Sequence, residues 1–209
     1  MISSKVLRTR LATIGHIKIG GLGAKVPTAN GQGTYQRPVK FDHFVITTNT
    51  RGTDGNFVRD EEAHQLVGIK PLELGILLLY NDQELSFRTC LAQYKGKKCF
   101  CRGDGEKAER WNAEKKAYYS VDCPCPDLNT EDNPKGPCKP HGKLSCILEA
   151  AQVAGGVHCF DTTSWNTISS IDASLKFLRS CTGGRIAGIP LRMTLNKKQV
   201  MVENQASTI

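Results

Sequence analysis

The sequence predicts an α+β fold dominated by β-strands, with one packed C-terminal helix and an inserted zinc ribbon. Three observations predict it. Short runs of alternating or continuous apolar residues, bounded by Gly, Pro, Asn and Asp, recur through the first two thirds of the chain. One later segment carries apolar residues at helical spacing. Before it lies a stretch, 123–142, that is rich in cysteine, Pro, Gly, Asp and Asn and cannot build an apolar core by itself. The 209 residues suffice for one sizeable core plus a small appended module. The β-rich part is compatible with a small barrel of the oligonucleotide-binding (OB) type.

Taken in chain order, "TIGHIKI" reads as a short strand and "FDHFVITT" as an alternating one. The intervening "GGLGAKVPTANGQGTYQRP" (20–38) reads as a long Gly-rich loop. It matches neither a P-loop nor a dinucleotide fingerprint, so a phosphate cradle is set aside. "ELGILLLYND" and "ELSFRTCLAQY" read as two strands joined at the turn-prone Asn81-Asp82-Gln83, and "LSCILEAA" with "GGVHCFDTT" as a further pair. The spacing of Ile168, Ile171, Leu175 and Leu178 predicts a helix over 166–182 with one core-facing stripe. Ser164 or Asn166 can cap it, Lys176 and Arg179 suit its C-terminal dipole, and Gly183-Gly184 stops it. The strand "IPLRMTL" follows. This order divides the chain into a basic β-rich region (1–94), a zinc-binding insertion (95–142) and a strand-helix-strand segment that completes the core (143–209).

The formal charge of +8 sits at the ends: residues 1–59 carry nine Lys/Arg against two Asp, and residues 173–209 carry six against one Glu. Clustered cations favour a polyanion, which they bind with release of counterions. Lys18, Lys25, Arg37, Lys40 and Arg51, in or beside the Gly-rich segment, are the candidate DNA contacts. Tyr35, Phe41, Phe44 and Trp165 are aromatic residues able to stack on bases wherever they are exposed. The basic start lacks the apolar stretch of a secretory signal, and the longest apolar run, "LGILLLY", is far too short to span a bilayer. The expectation is a protein with no membrane segment in the cytoplasm of a bacterial host.

In a reducing compartment, clustered cysteines point to metal before disulfides. Of nine cysteines, Cys99, Cys101, Cys123, Cys125 and Cys138 cluster in sequence, with His141 three residues beyond the last. The expected structural Zn2+ ligands are Cys101, Cys123, Cys125 and Cys138. Cys99, assigned to the other face of its strand, and His141 are the alternates. Cys90, Cys146, Cys159 and Cys181 lie in apolar patterns and read as core residues. No catalytic zinc motif and no nucleophile with a partnered base is visible, so no catalytic residue is assigned. Asp104 with Glu106, and Asp42 with His43, are the acid-base candidates considered; carboxylates in such turns ordinarily cap backbone amides.

The order of "IGHIKIG", "RPVKFDHFVITT", "CRGDGE", "CPC" with the later Cys138, and "FDTTSWNTISSIDASLKFLRSCTGGRIAGIPLRMTL" resembles the phage recombination directionality factor family. The resemblance spans about residues 11–195, with a Gly-rich insertion at 20–36 and Cys99 as departures. It implies a non-enzymatic phage or mobile-element protein that binds single- or double-stranded DNA, or partners a recombinase or large serine integrase. It also implies a role in DNA recombination or replication. A protein-interaction module with little affinity for free DNA is the alternative, and a metal-dependent hydrolase or nuclease is a further one.

Overall fold

The computed structural model describes residues 11–28, 33–96, 98–130, 132–151, 156–196, 199–202 and 205–208. Its strands, in chain order, are β1 (Ala12–Pro27), β2 (Thr34–Arg51), β3 (Phe57–Arg59), β4 (Glu73–Leu77), β5 (Phe87–Lys95), β6 (Lys98–Gly103) and β7 (Lys107–Asn112). They continue with β8 (Ala117–Asp122), β9 (Cys138–Leu148), β10 (Gly156–Thr162), β11 (Pro190–Thr194), β12 (Gln199–Val202) and β13 (Gln205–Thr208). The helices are α1 (Glu61–Val67), α2 (Gln83–Ser86) and α3 (Trp165–Cys181). The β-dominated α+β class is therefore present. Among the described residues no helix is long and apolar enough to cross a membrane.

The chain forms two compact units. The first draws on Met1–Leu77, Cys146–Cys159 and Gly188–Ile209, the second on Leu78–Ser145 and Phe160–Ala187. Among the described residues no pairing closes the strands of either unit into a barrel.

In the first unit the strand order is β3-β2-β1-β10, and β4 pairs antiparallel with β11 and with the end of β9. The segment 20–38, expected as a loop, is mostly strand: β1 and β2 form one long antiparallel ribbon that pairs from Gly15↔Thr48 to Pro27↔Thr34. The glycines there answer to close approach. A Cβ on Gly20 would lie 2.8 Å from the Val39 carbonyl oxygen, and one on Gly21 would lie 2.9 Å from the Phe41 ring. Asn56 acts as an extra strand on β1, accepting from the Leu22 amide at 2.7 Å and donating to the Leu22 carbonyl at 3.0 Å. Ile17, Phe44, Ile46, Leu74, Ile76, Leu148 and Val157 form the core, together with Cys146 and Cys159 as small hydrophobes. Within it His64 accepts from the Ile46 amide through Nε2 and donates through Nδ1 to the Gly68 carbonyl, which fixes the tautomer.

In the second unit the order is β9-β5-β6-β7-β8. Strands β7 and β8 lie inside the stretch expected to be a zinc ribbon and extend the sheet as a meander. The join at Asn81–Gln83 is a helical turn, α2, capped by the Asp82 carboxylate on the Glu84 amide at 2.9 Å. Helix α3 begins at the Ser164 cap, whose hydroxyl accepts from the Thr167 amide, and ends before Gly183 and Gly184, both at positive φ. Its buried residues are Ile168 and Leu175, with Ile171 and Leu178 half-buried beside them. The sheet alternates cleanly beneath it. On β9, Cys138, Pro140, Gly142 and Leu144 are buried, whereas Lys139 and Lys143 are exposed. Gly142 is where the helix touches, since a Cβ there would lie 2.8 Å from Ile168 Cγ1 and 3.0 Å from Phe87 Cζ.

Candidate functional site

Residues directly opposite one another on antiparallel strands share a face. One row across the second unit reads Cys138, Gln93, Cys101, Arg110, Tyr119 on β9, β5, β6, β7 and β8. Two cysteines thus reach the helix-covered face at the same level, both 6% exposed. Cys123 and Cys125 come from the loop after β8. The Cys123 amide donates to the Glu106 carbonyl, and its Sγ would lie 3.0 Å from a Cβ on Gly103, so glycine there makes room for the sulfur.

The loop that carries Cys125 toward Cys138 is held by its own polar side chains. Asn133 Nδ2 donates to the carbonyls of Pro126 and Leu128, Asn129 Nδ2 donates to Pro134, and Trp165 Nε1 donates to the Asn129 carbonyl at 3.0 Å. Backbone bonds Asn129–Cys138 and Cys138–Asp127 close it. This is where composition without a core gains its order: Asn and the Trp indole replace apolar packing.

Two of the four thiols have their ionisation shifted by the others. Burial, then Cys125, Cys101 and Cys123, push the Cys138 thiol up to about 11. Cys123 is raised for the same reasons, burial first. Arg110 Nη2 donates to Cys125 Sγ at 3.2 Å, and Cys101 and Cys125 together raise the guanidinium's pKa. Gln93 Oε1 and Arg110 Nε are buried in the same row without a hydrogen-bond partner. As a donor set, four thiols beside a cationic guanidinium fit a thiolate-bound zinc. As they stand, no three His, Cys, Asp or Glu side chains among the described residues are gathered closely enough to hold an ion.

The two alternates lie elsewhere. On a regular strand Cys99 and Cys101, two residues apart, would share a face. Their separation comes from a bulge: Gln93 pairs with Cys101 but Tyr94 with Cys99, leaving Phe100 as the extra residue. Cys99 thus faces Tyr94, and its thiol is raised by burial. His141 packs on the Tyr94 ring, with centroids 5.4 Å apart, and its pKa is lowered by burial and then by Arg102.

The basic residues of the first unit fall into three places. Lys18 and Arg51 come together over the Phe57 ring, at 5.3 and 4.1 Å from its centroid, and Arg51 also donates to the Gly55 carbonyl. Lys25, opposite Gln36, and Lys40, opposite Gly20, lie on one face of the β1–β2 ribbon. Arg37 alternates to the other face, where its Nε donates to the Tyr35 hydroxyl at 3.0 Å. Lys197 and Lys198, and the basic residues of the first ten, lie outside the described residues.

Of the aromatic candidates, Phe44 is 2% exposed and belongs to the core, which excludes it from stacking. Tyr35 and Trp165 are exposed. Cys181, expected in the core, is exposed at the last residue of α3, because the buried stripe ends at Leu178. The carboxylates do structural work: Asp104 Oδ1 accepts from the Glu106 and Lys107 amides across the β6–β7 turn, which lowers its pKa. Asp42 pairs at the surface with its neighbour His43 at 2.6 Å, and that bond is the main cause of its lowered pKa.

Sequence reasoning passed over Arg110 and Gln93. Their signal is register, which appears only once β5, β6 and β7 are paired.

No curated protein and no solved structure matches the chain. A family model described as Gp3-like, recombination directionality factor-like, matches residues 14–209. With nearly the whole chain covered, the protein belongs to the Gp3-like family of recombination directionality factor-like proteins.

Proposed function

We propose that the protein is a non-enzymatic accessory factor of phage or mobile-element recombination that binds DNA and works with a recombinase of the serine integrase kind. The family match over residues 14–209 carries this reading. In it, Cys101, Cys123, Cys125 and Cys138 hold a structural zinc that fixes the loop after β8, and Arg110 offsets part of the charge of four thiolates. When bound, the metal supplies cross-linking of loops and no chemistry on substrate. Lys25 and Lys40 on one ribbon face, with Arg37 on the other, supply cations to DNA phosphates in a manner indifferent to sequence.

The experiment is recombination by the partner integrase with and without the purified chain, alongside DNA binding across salt. A change in the direction or extent of recombination supports the reading, and no effect on the integrase together with no DNA binding rejects it. Replacing Lys25, Arg37 and Lys40 with Ala should flatten the salt dependence by ~0.7 to ~0.9 in log K per lost phosphate contact.

A second reading, a protein-interaction module with little affinity for DNA, is favoured by one observation. Leu66, Ile69 and Leu72, within seven residues around the end of α1, are 61%, 75% and 54% exposed. Integrase capture that survives the triple Ala variant but is lost in Leu66→Ser/Ile69→Ser supports it.

A further inference from the structure

The sheet of the second unit has one face covered by α3 and a second, more open face, exposed at its Tyr, Lys and Arg residues but buried at Ala92. Helix α3 lies on the covered face, with Ile168 against Gly142 and Phe87. The pairs on the open face are Cys90↔His141 and Ala92↔Lys139 between β5 and β9, and Tyr94↔Cys99 and Ala92↔Arg102 between β5 and β6. Farther across it are Arg102↔Glu109 and then Trp111↔Tyr118. The bulge at Phe100 allows Tyr94 and Cys99 to share this face, opposite to Cys101.

Two aromatic pairs stand there. Tyr94 is 51% exposed and packs on His141 at 5.4 Å; Tyr118 is 52% exposed and meets Trp111 edge-on at 5.1 Å. The Tyr118 hydroxyl donates to the Cys99 carbonyl at 3.2 Å, which anchors one end of the ring and leaves its face available. Exposed aromatic rings grouped on one sheet face mark an interaction surface when they form a contiguous patch. Around them are the exposed cations Lys139, Lys143 and Arg102, and Arg102 and Lys139 are both near enough to His141 to lower its pKa. The opposing charges are Glu109 within the face and Asp161, which acts on His141 in the other sense.

We infer that the open face of β9-β5-β6-β7-β8 is a binding platform for single-stranded DNA, with Tyr94 and Tyr118 stacking on bases and Lys139, Lys143 and Arg102 holding the phosphates. The occupant follows from the chemistry. Cations select a polyanion, and exposed ring faces select one whose bases are unstacked, whereas duplex DNA keeps its bases inside. The proposal rests on the DNA-binding reading above but places the single-strand contact on the second unit and not on the β1–β2 ribbon.

The test is fluorescence anisotropy of the full chain with labelled oligo(dT) and with a duplex of equal length, at several salt concentrations. Tyr94→Ala/Tyr118→Ala should weaken oligo(dT) binding by roughly tenfold per ring, while Tyr94→Phe/Tyr118→Phe, which keeps the rings, should bind as the parent does. Lys139→Ala/Lys143→Ala, at exposed positions that leave the fold intact, should reduce the slope of log K against log salt by ~1.4. Parent-like binding by both the Ala pair and the Lys pair overturns the platform. If those variants bind like the parent while the Lys25, Arg37 and Lys40 variant loses DNA, the platform fails and the wider DNA-binding reading stands. If the parent binds duplex but not oligo(dT), the platform alone fails; if it binds neither, both fail.

Discussion

Arg110 donates through Nη2 to the sulfur of Cys125 at 3.2 Å, so a cation from strand β7 reaches a thiol from the loop after β8. Burial and the neighbouring Cys101, Cys123 and Cys125 raise the Cys138 thiol, so it stays protonated in the cluster left to itself. A divalent cation would reverse that balance by favouring the thiolates. The expected outcome is one zinc per chain by elemental analysis of protein purified without chelator. Serine at Cys101, Cys123, Cys125 or Cys138 abolishes it, and Cys99→Ser or His141→Gln retains it. A zinc lost with Cys99 or His141 would move the fourth ligand; no stoichiometric metal in the parent rejects the site.

Arg110 itself should tune that metal without ligating it. Arg110→Met keeps the aliphatic stem and removes the charge and the donor to Cys125. Zinc affinity, measured by competition with a chromogenic chelator, should fall about 10- to 100-fold, in the range of outer-shell substitutions. An unchanged affinity would make Arg110 a packing residue only.

How far the sequence could be read depends on which physical signal each element leaves. Helix α3 was legible because its stripe, cap and glycine stop are local features. The four cysteines read as a zinc set because 123–142 has few apolar residues and needs another means of order; the pairing itself brings only Cys101 and Cys138 into one row. The β1–β2 ribbon was not legible, because Gly20, Gly21 and Gly23 look like flexibility in one dimension. Only in three dimensions do Gly20 and Gly21 prove to be places where Val39 and Phe41 crowd a Cβ, with Gly23 tight against Val39. Strands β7 and β8 were missed because their charged and aromatic residues, as in "KAERWN" and "AYYSVD", do not alternate between apolar and polar. The bulge at Phe100, which decides the face of Cys99, depends on pairing with β5 and leaves no mark in the local sequence.

Gly103 offers a test of the packing around Cys123. An added Cβ would meet the Lys107 carbonyl oxygen at 2.6 Å, Ala108 Cβ at 2.7 Å and Cys123 Sγ at 3.0 Å, and two of these belong to the paired strand β7. Backbone cannot swing away as a side-chain tip can. Gly103→Ala should therefore destabilise the protein by ~1–3 kcal/mol in urea unfolding, the usual range for overpacking, and should weaken any bound zinc through Cys123. A variant as stable as the parent would mean that β6 and β7 separate easily at this point.

The last prediction concerns His158, on β10, 3% exposed in the core of the first unit. Burial lowers its pKa below the ordinary 6.5, nearby His16 lowers it further, and Asp60 works against both. The unfolded chain therefore takes up this proton at a higher pH than the folded one. The associated stability is complete above about pH 6.5 and is lost as pH falls through the folded-state pKa, by at most ~1.4 kcal/mol per pH unit of that window. Urea midpoints taken from pH 7.5 down to about 5 should fall, and His158→Gln, which has no proton to gain, should flatten that fall while lowering stability at pH 7.5 through lost packing. His141, also lowered, gives the control: His141→Gln should leave His158's share of the slope in place. If His158→Gln and the parent lose stability in parallel over this range, the titrating group is not His158.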